Sequence, residues 1–229
     1  MNRTVQAILL FLVGGVLLHA GLTGLYLRYV KAGLQPLVLA AGAVLVVAAV
    51  ATAWYARRRP GGHPAPRVSW LLVLPVFALM LAAPPALGSY SAMRAGTAVT
   101  APRILTPLPD GNPVRLTMID YADRAVYDHG RSLAGRTVTI TGFVAFDRDG
   151  TPYLVRMLLN CCAADAQPVK VGLTDRVPPV LPPDAWLEVT GAYTGRQATD
   201  PVNGGTIPFV DVGRARPVAP PADPYESLG

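Results

Sequence analysis

Cys161 and Cys162 are the only cysteines in this 229-residue chain, and they are adjacent in the segment LLNCCAADAQP. Asp165 follows Cys162 by three residues, which places two thiols and a carboxylate within five positions. Thiolates and carboxylates are ligands for borderline and soft metal ions, and neighbouring thiols can also close a strained disulfide. The segment therefore supports a metal-binding, a redox and a purely structural interpretation.

The three interpretations make different demands on the chain. A metal site would use Cys161, Cys162 and Asp165, and His129 is the candidate for a further ligand. It requires a turn, because adjacent side chains diverge on an extended chain, and the segment lacks the C-x-x-C spacing of ordinary zinc sites. A redox site would use a vicinal disulfide, which is strained and easily reduced. In a structural turn one cysteine packs inward and Asp165 caps the turn, with Arg156 as a pairing partner if the strand end folds back.

The cysteines follow a predicted β-hairpin. Residues 136–146, RTVTITGFVAF, alternate between apolar residues and threonine, which predicts a strand with one buried face. DRDG at 147–150 is a turn signal, and TPYLVRMLLN at 151–160 is the returning strand. The thiols therefore lie just beyond the end of a strand.

The rest of this region also consists of short elements. The pattern predicts a strand over 114–120, a helix over 121–135, and strands over 168–173, 186–193 and 205–218. Glycines in GFV and VTGAY suit the strong bends of barrel strands. We therefore predict a small all-β or α+β domain over 113–218, an OB-like barrel.

Three apolar stretches precede this domain, at 5–27, 34–56 and 68–88, and none contains Asp, Glu, Lys or Arg. Each has about 20 residues, enough for a helix to cross the hydrocarbon layer of a bilayer. The second stretch is rich in small residues, which favours close helix packing. The predicted organisation is a three-helix transmembrane region over 1–88, a linker over 89–112, the barrel, and a loose tail over 219–229.

The charge distribution predicts the membrane topology. All 14 acidic residues lie at or beyond Asp110, although the chain has a net charge of +6. The loop 56–67 carries four arginines, whereas the loop 27–33 carries one arginine and one lysine. The positive-inside rule then places the amino terminus in the cytoplasm and the β-domain outside it, in a multi-pass protein of the cell membrane. An acidic domain without a basic, aromatic groove argues against nucleic acid as a partner.

Four segments carry a resemblance to a known family: GFV at 142–144, RMLLNCCAADAQPV at 156–169, WLEVTG at 186–191 and DPYES at 223–227. With the apolar amino-terminal half, they resemble the YcgQ-like bacterial family of permease subunits. The resemblance implies a multi-span membrane permease as a partner and a role in transport.

No spacing in the sequence marks a catalytic constellation. It contains no phosphate loop, no H-E-x-x-H and no dinucleotide fingerprint, so we expect no enzymatic activity and no cofactor beyond a metal ion on the cysteine pair. The leading expectation is an accessory subunit of a membrane permease whose outer domain binds a solute or ion or braces the transporter. The alternatives are a membrane-tethered binding or redox module that uses the cysteine pair, and an envelope protein that binds a polymer.

Overall fold

The structure is a computed structural model, and it describes residues 3–58, 74, 77–78, 84–174 and 182–227. The chain divides into two compact units, Met1–Ala86 and Leu87–Gly229. The boundary between the units lies two residues before position 88, where the sequence analysis places the end of a membrane region. Each unit is built from different elements, one helical and one rich in strands.

Two long helices form the first unit: α1, Arg3–Thr23, and α2, Gln35–Arg58. Short 3₁₀ turns connect them, and α1 packs along α2. Both are long and apolar enough to cross a membrane. The structure thus describes two apolar helices where the sequence predicts three, and the third predicted span, 68–88, lies mostly outside the described residues.

Small residues form the seam between the two helices. The seam includes Gly14 and Gly21 on α1, and Gly42 and Ala49 on α2, each pair being seven residues apart. A Cβ on Gly14 would lie 2.9 Å from the Gly42 carbonyl oxygen, and a Cβ on Gly42 would lie 3.0 Å from that of Gly14. The backbones therefore approach so closely that only glycine fits, which confirms the packing predicted from the small residues of the second span.

The second unit is a closed β-barrel. Its five strands are β2, Thr137–Phe146; β3, Pro152–Leu159; β4, Gln167–Leu173; β5, Trp186–Thr199; and β6, Thr206–Pro217. Each strand pairs with two others in the circular order β2–β3–β4–β6–β5, and β5 pairs again with β2. All of these pairs are antiparallel except β4 with β6. The predicted small barrel is therefore confirmed.

Two short strands extend the barrel at its edges. β1, Val114–Arg115, pairs in parallel with β2, and β7, Tyr225–Ser227, pairs in parallel with β3. The Tyr225 hydroxyl accepts a hydrogen bond from the Leu87 backbone N–H at 3.0 Å. The prediction of a loose tail over 219–229 is thus wrong for its last described residues, because they add a strand to the sheet.

The segment before β2 differs from its predicted structure. Helix α3, Ser89–Ala92, lies in the predicted linker, and helix α4, Met118–Val126, starts within the predicted strand 114–120. The Thr117 hydroxyl accepts a hydrogen bond from the Asp120 backbone N–H at 3.1 Å, and this cap starts the helix early. α4 buries Met118 and Tyr121 in the barrel core, and the Tyr121 hydroxyl donates to the Phe209 carbonyl.

Two glycines permit the bends that close the barrel. A Cβ on Gly142 would lie 2.5 Å from the Val155 carbonyl oxygen on β3, and a Cβ on Gly191 would collide with the Asp211 carbonyl on β6. The register of β5 against β6 also shifts at Gly191, as in a β-bulge. These are the glycines of the GFV and VTGAY segments, and at both of them the neighbouring backbone lies too close for a side chain.

Replacing Gly14 by leucine should loosen the helix pair, because its side chain would collide with α2. Overpacking of this kind costs about 1–3 kcal/mol, so the amides of α1 and α2 should exchange their hydrogens roughly 5- to 150-fold faster. Hydrogen exchange of the full chain in detergent micelles, read by mass spectrometry, measures this. Gly15→Leu is the matched control, since a Cβ there meets nothing within 4 Å. Equal protection in both variants would contradict the proposed seam.

Candidate functional site

The two cysteines lie in a tight turn that connects β3 to β4. β3 ends at Leu159, a 3₁₀ turn covers Ala163–Asp165, and β4 begins at Gln167. The Asp165 carboxylate folds back over this turn and accepts three backbone hydrogen bonds. They come from the N–H groups of Asn160 at 3.0 Å, Cys161 at 2.8 Å and Cys162 at 3.4 Å. One side chain therefore fixes the path of the whole turn.

This turn brings the three predicted site residues together. The sulfur atoms of Cys161 and Cys162 and a carboxylate oxygen of Asp165 all lie within 4.8 Å of one another. Both thiols are free; Cys161 is exposed, whereas Cys162 and Asp165 are half-buried. The divergence expected of adjacent side chains on a strand is removed, because the backbone bends at this point.

His129 does not belong to this group. It lies exposed in the loop after α4, with a positive φ of 50°, and the cluster consists of the two cysteines and the aspartate alone among the described residues. His129 is therefore not a ligand in this arrangement. The sequence could not show this, because the distance between the two loops depends on the whole barrel.

The carboxylate also sets the chemistry of the exposed thiol. A hydrogen bond from the Cys161 thiol to Asp165, together with one that involves Cys162, raises the pKa of Cys161 to about 11. The pKa of Asp165 is lowered by this hydrogen bond from Cys161 and by the hydrogen bonds from the backbone N–H groups. At neutral pH, Cys161 is thus a protonated thiol that donates to an ionised carboxylate. It is a weak nucleophile in this state, because the thiolate is the reactive form.

The sequence analysis named Arg156 as a pairing partner of Asp165, and the structure does not show this pair. Arg156 donates to the backbone carbonyls of Asp223 at 2.8 Å and Tyr225 at 3.3 Å, and its guanidinium lies 4.9 Å from the centre of the Trp186 ring. Burial lowers its pKa. Arg156 therefore joins the carboxyl-terminal segment to the barrel wall.

The four motif segments of the family resemblance meet around this arginine. Phe143 from GFV packs edge-on against Trp186 from WLEVTG, with ring centres 5.8 Å apart. Arg156 belongs to the segment that continues into the cysteines, and it binds the carbonyls of DPYES. The Glu226 carboxylate in turn accepts from the Met118 N–H at 2.8 Å, at the start of α4. These residues hold the end of β3 in place, immediately before the thiol turn.

A buried ion pair was missed by the sequence analysis. The Lys170 ammonium lies 2.8 Å from the Asp200 carboxylate, and both side chains are almost fully buried. Lys170 also donates to the Ala95 carbonyl at 2.8 Å, and Asp200 accepts from the Thr97 N–H at 2.9 Å. The pair ties the segment after α3 to β4 and to the loop between β5 and β6. A lysine among the apolar residues of PVKVGL was the only available signal.

Replacing Asp165 by asparagine should make Cys161 more reactive. With a pKa of about 11, only about one Cys161 in a thousand is a thiolate near pH 8, compared with about a quarter for an ordinary cysteine. Loss of the carboxylate charge should therefore speed alkylation by iodoacetamide at least about tenfold, the gain being reduced by the lower nucleophilicity of a less basic thiolate. Mass spectrometry of full-length protein in a Cys162→Ser background isolates the one thiol.

Asp147 offers a matched control for this experiment. Its carboxylate also caps a turn, accepting from the N–H groups of Asp149 at 3.0 Å and Thr151 at 2.8 Å, without a neighbouring thiol. Asp147→Asn should leave the alkylation rate of Cys161 unchanged. An Asp165→Asn rate equal to that of the parent would show that the carboxylate does not control the thiol.

Replacing Lys170 by methionine should destabilise the barrel by about 3–5 kcal/mol, because the Asp200 carboxylate would stay buried without its counter-ion. Urea unfolding followed by tryptophan fluorescence can measure this in a Trp54→Phe, Trp70→Phe background, where Trp186 alone reports on the barrel. Arg115→Met is the control, since its bond to Glu188 is exposed and should contribute at most about 1 kcal/mol. Equal losses in the two variants would contradict the role of the buried pair.

The carboxyl-terminal part of the sequence matches a family model described as the DUF1980 C-terminal domain, over residues 105–226. That range contains α4, all five barrel strands and the thiol turn. No curated protein and no solved structure matches the chain. The match is compatible with the YcgQ-like resemblance of the four motif segments. Because it spans more than half of the 229 residues, the chain belongs to the DUF1980 family.

Proposed function

We propose that this chain is a membrane-anchored accessory subunit of a bacterial permease, as its YcgQ-like motifs indicate. The observation that carries the proposal is the combination, in one chain, of an apolar helix pair with a barrel that displays a thiol–carboxylate turn. The helices would anchor the subunit beside the permease, and the barrel would bind a solute or ion or brace the transporter. The expectation that the chain is not an enzyme remains part of this proposal.

The outward faces of the helices support a membrane location. Large apolar side chains are exposed on both helices, namely Phe11, Leu22, Leu37, Val44, Val47, Val50, Trp54 and Tyr55. Such a surface needs lipid tails or other apolar helices around it. The proposed environment is therefore the lipid bilayer, with the helices of a permease covering part of the pair.

The residues between the two helices argue that the transport pathway lies in another protein. The seam consists of glycine, alanine and aliphatic side chains, and neither helix carries an acidic residue. Pathways for ions and polar solutes through membranes are lined by polar or charged groups. We therefore assign transport to a multi-span partner and not to this chain alone.

The proposed topology places the barrel outside the cytoplasm. Arg57 and Arg58 end α2, and the sequence continues with Arg59 and Arg67 before the third predicted span. By the positive-inside rule, this loop and the amino terminus are cytoplasmic. A third crossing over 68–88 would then bring the chain to the extracytoplasmic side, where the barrel would be folded.

The barrel itself is proposed to be OB-like. Its five strands close in a circle with a single parallel pair, and α4 contributes to its core from a position before the first barrel strand. Nucleic acid is not a proposed partner. Arg115 and Arg216 on the surface are both paired with Glu188, at 2.9 Å and 2.8 Å, and a nucleic-acid groove needs unpaired basic side chains.

A second candidate function follows from the two free thiols. A membrane-tethered redox module would close and open a vicinal disulfide between Cys161 and Cys162, which are adjacent and accessible in the turn. The hydrogen bond of Cys161 to Asp165 disfavours this candidate, because it holds the thiol in its protonated, less reactive form.

Co-purification tests the permease proposal. The tagged full chain would be isolated from native membranes in mild detergent, after photo-crosslinking from an unnatural residue at the exposed positions Val47 or Leu37. We expect one multi-span membrane protein in a fixed ratio, crosslinked only after illumination. Mass spectrometry identifies it.

The Cys161→Ser, Cys162→Ser double variant is the matched control. It should retain the partner if the helices provide the docking surface, and it should lose the partner if the thiol turn is part of that surface. Absence of any stoichiometric multi-span partner, in several detergents and from both crosslinking positions, would reject the permease role. The tethered module would then be the remaining candidate.

A further inference from the structure

We propose that Cys161, Cys162 and Asp165 form a binding site for one thiophilic divalent metal ion of the Zn²⁺ class. The site lies in the turn between β3 and β4. This inference goes beyond the role of a permease subunit, and it stands on the geometry of the turn alone.

The distances fit such an ion after a small contraction. Tetrahedral Zn²⁺ with sulfur ligands at about 2.3 Å holds its sulfurs about 3.8 Å apart. The three ligand atoms here lie within 4.8 Å of one another, so they need to close by at most about 1 Å around an ion. Rotation of the two exposed or half-exposed thiols about χ1 supplies a movement of this size without a change in the backbone.

Metal binding would replace the protons of the two thiols. On binding, two S–H bonds break, two metal–sulfur bonds form, and both protons leave to solvent. No atom is oxidised or reduced, and no co-reactant is required.

The backbone around Asp165 provides the outer support that metal ligands need. Three N–H groups fix the carboxylate, and ligating carboxylates in metal sites are held in the same way. A carboxylate has about four lone-pair positions, so three backbone bonds leave one for an ion. Two thiolates and a carboxylate around a divalent ion carry one net negative charge, which these N–H groups stabilise.

The types of the ligand atoms indicate which ion the site would bind, and their exposure indicates whether the ion would be released. Two sulfurs exclude Mg²⁺ and Ca²⁺, which prefer oxygen ligands, and favour zinc-like ions. Three protein ligands leave one coordination position open, and the exposed face of Cys161 directs it to solvent. The site is thus suited to an ion that is taken up and released, and not to a closed structural centre.

Cobalt(II) is the probe that tests this site. The reduced full chain in detergent micelles would be titrated with Co²⁺, followed by the thiolate-to-cobalt charge-transfer band, and then with Zn²⁺ to displace it. We expect one Co²⁺ ion to bind per chain, and we expect the charge-transfer band to disappear when Zn²⁺ displaces it. Cys161→Ser and Cys162→Ser should each lose most of the band, and Asp165→Asn should weaken binding at least about tenfold.

Two comparisons make the result decisive. The single serine variants keep the hydrogen bonds of Asp165, so they report on ligation even if Asp165→Asn distorts the turn; an unchanged far-UV circular dichroism spectrum verifies their fold. Asp147→Asn should bind like the parent, because its carboxylate caps a turn that has no thiols. The proposal is overturned if the reduced parent gives no band, or if the double serine variant retains it. Neither result depends on whether a permease co-purifies.

Discussion

The candidate site depends on the Asp165 carboxylate, which accepts three backbone hydrogen bonds. Asp165 bends the chain at the point where β3 ends, and only in that bend do two adjacent thiols point to a common volume. The same carboxylate raises the pKa of the Cys161 thiol, through a side-chain hydrogen bond and through its negative charge. Geometry and reactivity are therefore set by a single residue. A turn capped by a neutral side chain would lack the negative charge that raises the pKa of the Cys161 thiol.

The barrel supplies the rigid frame for this turn. The end of β3 is held on one side by β4 and on the other by β7, while Arg156 joins the carbonyls of Asp223 and Tyr225 to the ring of Trp186. A site held by regular strands is positioned more accurately than one on a long loop. The buried pair of Lys170 and Asp200 joins β4 to the segment after α3, because Lys170 also donates to the Ala95 carbonyl. The motif segments thus meet around Arg156, in the part of β3 that precedes the thiol turn.

Local patterns in the sequence were sufficient to predict the elements in which apolar residues recur at a regular spacing or form a long run. The strand predicted over 136–146 is observed as Thr137–Phe146, and the apolar runs at 5–27 and 34–56 correspond to α1 and α2. The sequence could not reveal features that depend on distant partners. β7 forms only because β3 offers an edge, and the first turn of α4 is also held by the distant Glu226 carboxylate, which accepts from the Met118 and Ile119 N–H groups. The Thr117 cap of α4, in contrast, was a local signal that the sequence analysis missed. The convergence of the thiols was also hidden, because it requires backbone bonds to Asp165 that no residue periodicity encodes.

We propose that the thiol turn is a single set of ligands for one metal ion, held on a rigid barrel. X-ray absorption spectroscopy of the zinc-loaded full chain tests it most directly, because the spectrum counts sulfur and oxygen neighbours of the ion. We predict two sulfur neighbours at about 2.3 Å and oxygen neighbours at about 2.0–2.2 Å, with one sulfur lost in the Cys161→Ser variant. A shell with fewer than two sulfurs, or one that keeps both sulfurs in the Cys161→Ser variant, would contradict the proposal.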